Sequence, residues 1–163
     1  MRVLFLLLAM GFLRPPLPAE ARCVTLEAEG GPVASTRVED GDEVRLRFLH
    51  SLWGSPVEEH FRVTGEGLEL VRLRYGERRL VEFYGHEAAR RDGNWWVVEG
   101  DRRHFRTLTL RANREPRMQL SVGPEQIPFW TVMASGGPIR LTVIACGDGT
   151  STGEADRHAG REH

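Results

Sequence analysis

The densest chemistry in the chain lies in His50-Ser51-Leu52-Trp53-Gly54-Ser55-Pro56-Val57-Glu58-Glu59-His60-Phe61. Over residues 43–50, Val44, Leu46 and Phe48 alternate toward one face, and continuing the alternation puts His50 on that face. In the next alternating run, Glu59 falls on the inward side between Val57 and Phe61. An imidazole and a carboxylate thus occupy core-side positions on two strands joined by a Gly-Ser-Pro turn. Burying a charge is costly unless it is paired. The arrangement that avoids the cost is a hydrogen-bonded His50–Glu59 pair at one end of the core.

Four roles suit such a pair. It can be a satisfied core pair that fixes the register of the hairpin. It can converge with other polar groups on a bound anion or polar molecule. It can serve a hydrolase as an acid/base pair, with Glu59 orienting His50 and Ser51 adjacent in sequence. Ser51, however, points to the other face if its strand continues. The fourth role is a metal site built from His50, Glu59 and His60. His60 has the opposite parity to Glu59, and one strand does not aim both at one ion. This reading assigns no catalytic residue, no metal and no cofactor.

The elements that position these residues are strands. Alternating runs recur over residues 23–28, 43–50, 57–63, 68–75, 95–98, 105–110, 118–122 and 139–146. Residues 68–75 are apolar enough on both sides for a central strand. Turn signals separate the runs, among them Asp40-Gly41-Asp42, Gly54-Ser55-Pro56 and Asp92-Gly93-Asn94. No stretch of ten residues carries a helical period, and residues 126–133 suit one short turn of helix. The fold class expected is all-β: a mostly antiparallel sandwich or open barrel of immunoglobulin-like size.

The 163 residues suit one domain, and 40% are apolar, enough for a core. Charged residues nearly cancel, leaving a net charge of -1, so nothing calls for nucleic acid as a partner. All 22 basic residues are arginine, a compositional bias given no functional weight. Residues 1–21 read as a signal peptide: Arg2, an apolar run over 3–13, helix-ending prolines, and an Ala19-Glu20-Ala21 cleavage signal. The apolar run is far short of the ~20 residues that span a bilayer, so no stable membrane anchor is expected once the leader is removed. Arg22 is the wrong residue to precede a lipidated Cys23. The domain is therefore expected over residues 22–146, in the periplasm or secreted, and the tail over 147–163 is expected to be disordered.

Cys23 and Cys146 are the two cysteines, and an oxidising compartment favours a disulfide between them. Each lies opposite the apolar face of its run, so both thiols project to one side if the terminal strands are neighbours. There is no G-x-S-x-G, H-E-x-x-H, C-x-x-C or phosphate-binding glycine loop.

A strand ending in His50-Ser51, then Ser55-Pro56-Val57, Glu59 and Phe61, resembles a family of small exported domains. These are often encoded beside, or fused to, TRAP-type solute transporters of the TAXI class. Tyr75 matches the tyrosine that follows, and Phe83-Tyr84-Gly85 matches part of a Phe-Gly-x-Gly segment. Here His86-Glu87 stand where a second glycine is usual. The resemblance extends from Cys23 to the last strand. It implies an accessory or binding domain of such an uptake system, without catalysis. The expected partners are the transporter's membrane subunit or its solute receptor, with a small polar ligand as a further option. The binding residues it points to are His50, Ser51, Pro56, Glu59, Phe61, Tyr75 and Gly85. A plain structural interaction module is the remaining reading.

Overall fold

The structure is a computed structural model that describes residues 21–112, 117–132 and 137–146. The leader expected over residues 1–21 lies outside them but for Ala21, and the tail expected from residue 147 lies outside them altogether.

Alternation of apolar and polar residues produces two antiparallel sheets among the described residues. The smaller is built from β1 (Arg22–Ala28), β2 (Gly31–Val38), β9 (Thr107–Ala112) and β12 (Gly137–Ala145), in the order β2-β1-β12-β9. The larger takes β3 (Glu43–Leu49), β4 (Pro56–Thr64), β5 (Gly67–Tyr75), β6 (Arg90–Asp92), β7 (Trp95–Glu99), β10 (Gln119–Val122) and β11 (Glu125–Pro128). Their order is β11-β10-β3-β4-β5-β7-β6, and β8 (His104–Phe105) joins β5. Two short helices, α1 (Arg78–Phe83) and α2 (Phe129–Val132), complete the elements. Both sheets keep free edges, so the molecule is a sandwich rather than a closed barrel.

The core forms where the two inner faces meet. Val24 and Leu26 of β1 and Ile139 and Leu141 of β12 come from one side; Val44, Leu46, Val57, Phe61, Leu70 and Leu120 come from the other. The run over 105–110 divides between the sheets. Phe105 pairs with Leu68 in the large sheet, whereas Thr107 onward pairs with β12. Two-sided apolarity in β5 has a local cause. The register shifts where Phe61 meets Leu70 and His60 meets Arg72, leaving Val71 as the extra residue of a bulge. Inward parity passes there from Leu68 and Leu70 to Leu73 and Tyr75, all of them buried.

The terminal strands are neighbours, with Val24 opposite Val143 and Leu26 opposite Leu141. The Cys23–Cys146 disulfide forms across them, with a Cα–Cα distance of 5.0 Å. No helix among the described residues is long and apolar enough to cross a membrane.

Candidate functional site

The β3–β4 hairpin sets the position of His50. Its backbone N–H donates to the Ser55 carbonyl at 2.8 Å, and its carbonyl accepts from Gly54 N–H at 2.8 Å, closing the loop. The ring is buried, and its Nδ1 accepts from Leu52 N–H at 3.3 Å. Trp53 stacks on it at 4.7 Å between centroids. Phe83 and Tyr84 meet it edge-on at 5.2 and 5.8 Å.

Phe83 and Tyr84 come from the end of α1, a helix fixed at both ends. At its start, Glu77 accepts a hydrogen bond from the Ser55 hydroxyl and pairs with Arg79 at 2.5 Å. The Arg79 guanidinium lies over Trp53 at 5.1 Å, so hairpin loop and helix form one circuit. The hydrogen bonds from Ser55 and Arg79 hold the Glu77 carboxyl below its ordinary value. At its end, Gly85 N–H donates to the Glu82 carbonyl at 3.1 Å and His86 N–H to the Val81 carbonyl at 3.0 Å. That is a Schellman stop, and Gly85 takes the left-handed φ of +71° that it requires. Chain reversal here brings His86 Nε2 within 2.8 Å of the Tyr75 hydroxyl.

The hydrogen-bonded His50–Glu59 pair expected from parity is not formed. Parity fixes a face, not a position along it. In the observed register Glu59 lies opposite Leu46, whereas His50 bonds Ser55, just ahead of β4 and four residues before Glu59. Four strand residues span on the order of 13 Å. Glu59 instead lies among Leu46, Leu73 and the two tyrosines, and it forms no hydrogen bond or ion pair among the described residues. Burial pushes its carboxyl upward, against the opposing charge of Arg103. Burial also raises the phenols of Tyr75 and Tyr84, and the Glu59 charge adds to both shifts.

The remaining sequence-chosen residues divide between site and scaffold. Ser51 is exposed and forms no side-chain hydrogen bond among the described residues. Pro56 packs where a Cβ on Gly76 would fall, 2.8 Å from its ring, and its carbonyl accepts from Gly76 N–H at 2.9 Å. Phe61 is a core residue, edge-on to Phe105 at 6.0 Å.

Sequence reasoning missed a second charged cluster, on the opposite face of the large sheet. Glu58 is 3% exposed and accepts from Arg74 at 2.8 Å. His60, 6% exposed, lies 3.5 Å from Glu58 and 3.3 Å from Glu43, and neither contact has hydrogen-bond geometry. The even parity of Glu58 and His60, facing Arg45 and Arg47 on β3, was the available signal.

The family described as a domain of unknown function, DUF1850, matches residues 44–129, more than half of the chain. The chain belongs to that family. The DUF1850 match contains the whole of the His50 cluster, from the end of β3 through β5 and α1 to His86. It also spans nearly all of the large sheet, while β1, β2, β12 and both cysteines fall outside it. No curated protein matches the chain, and no solved structure matches it either.

Proposed function

We propose that this DUF1850 chain is an extracytoplasmic accessory domain of a TAXI-type TRAP solute uptake system. It docks its partner through the aromatic patch at the His50 end of the sandwich. The observation that carries this reading is the exposure of large apolar side chains around a buried, ordered centre. Leu52 is 69% exposed, Phe83 54% and Tyr84 44%, all near His50 and Trp53. Aromatic side chains packed on one another, with Arg79 over Trp53, have the composition of a protein–protein hot spot. A membrane subunit or solute receptor of the transporter is the partner named by the His-Ser…Pro-Val-x-Glu likeness. Export agrees with the disulfide, which persists in oxidising compartments.

The role needs no bond-making step. His50 accepts a backbone hydrogen bond and is paired with no carboxylate among the described residues, so the His50–Glu59 acid/base pair is not formed. Co-purification with the separate transporter subunits tests the proposal. The wild-type domain is expected to associate, and Leu52→Ala with Phe83→Ala to lose the association while keeping its fold. Absence of any association, where the receptor itself docks, contradicts it.

A further inference from the structure

We propose that a cleft between β7 and the loop after α1 binds a small zwitterion, an ammonium and a carboxylate on a short apolar frame. β6 pairs with β7 only from Arg90–Asp92 to Trp95–Val97. Beyond Val97 the chain over 86–89 leaves the strand edge, and a solvent-open cleft of about 580 Å³ lies between them. Small-molecule sites occupy roughly 300–1,000 Å³.

Its polar groups retain unused hydrogen-bonding capacity. The Tyr75 hydroxyl takes His86 Nε2 and orients the ring, leaving Nδ1 for another partner. Arg90 lies 3.8 Å from Glu99 and 3.7 Å from Asp92, beyond hydrogen-bond length for both. Glu87, exposed on the rim, forms no hydrogen bond or ion pair among the described residues. Val98 and Ala89, both packed against the core, supply the apolar lining.

The charges select the ligand class. An anion alone meets the Arg90 fork but also faces Glu87 and Glu99. A cation alone meets the carboxylates but must compete for them with Arg90, which pairs loosely with both Asp92 and Glu99. A zwitterion satisfies both, its carboxylate on Arg90 and its ammonium on Glu99, with the carbon frame on Val98 and Ala89. The cleft shares no residue with the docking patch, so either proposal can fail without the other.

The test is calorimetric titration of the folded chain with alanine, valine and leucine separately, and with acetate and methylammonium as half-ligands. At least one amino acid is expected to bind and neither half-ligand to do so. Arg90→Gln and Glu99→Gln, both at exposed positions, are each expected to weaken binding by about tenfold or more with the circular dichroism spectrum unchanged. Failure of all three amino acids to bind overturns the proposal. So does acetate or methylammonium binding equally well, or binding that survives both substitutions.

Discussion

Glu58 and Glu59 are neighbours in sequence, face opposite sides of one sheet and titrate in opposite senses. Burial pushes Glu58 upward, but the His60 contact and the charges of Arg74 and Arg45 outweigh it, leaving the carboxyl below its ordinary value of 4.5. Its stabilising contribution is therefore present above that value and is lost as pH falls through the folded-state pKa. Glu59 is raised, mainly by burial. It favours the fold fully below 4.5, and that contribution is lost as pH rises through its folded-state pKa. Two expectations follow for urea unfolding at stepped pH. Glu58→Gln destabilises at neutral pH by about 2 kcal/mol, because Arg74 loses its buried partner, and the deficit fades in acid. Glu59→Gln stabilises at neutral pH, and that gain fades in acid. Equal pH slopes for the two variants would contradict both assignments.

At the scale of elements, α1 joins the His50 loop to the rest of the site. Gly85 is the stop that turns the chain back and delivers His86 to Tyr75. Gly85→Ala puts a side chain at φ +71°, which costs roughly 1–2 kcal/mol. The thermal midpoint is expected to fall and the near-ultraviolet tyrosine signal to change. A variant that keeps both would show that the reversal does not depend on glycine. Legibility in the sequence follows the same lines. The strands that bury one face declared themselves by alternation: β1, β3, β4, β5, β7, β10, β12, with β8 and β9 read as one run. β11 did not: residues 126–133 suited a turn of helix, and only Phe129–Val132 form one, after the strand Glu125–Pro128. β2 and β6 did not either. Val38 is the one fully buried residue of β2, and all three residues of β6 are exposed, so neither carries a period-two signal. α1 has six residues, under two turns, too few for a helical period to show. The β5 bulge and the hairpin register were also invisible, because alternation reports which face a side chain takes and not its opposite number. For that reason His50 and Glu59 were read correctly as inward-facing and wrongly as partners.

For the whole molecule, the two sheets differ in what holds them. The large sheet carries most of the family match, the His50 loop and the Glu58–His60–Arg74 cluster. The small sheet is tied by β1–β12 pairing and the Cys23–Cys146 bridge, which encloses a sequence separation of 123 residues. In the chain-entropy description a loop of that size stabilises by roughly 4–5 kcal/mol. Chemical denaturation of Cys23→Ser beside the wild type is expected to show a loss of that order with the fold retained. A loss near zero would show that strand pairing alone holds the termini. The all-β class was legible from turn spacing and alternation, and so was the bridge, from the outward parity of both cysteines.

The central claim is that the exposed rings around His50 form the contact surface, and amide hydrogen exchange with and without a transporter subunit tests it most directly. Slowed exchange confined to residues 50–56 and 78–85 is the predicted footprint, with β1 and β2 unchanged. Binding that leaves those segments unprotected, or protects the small sheet instead, would contradict it.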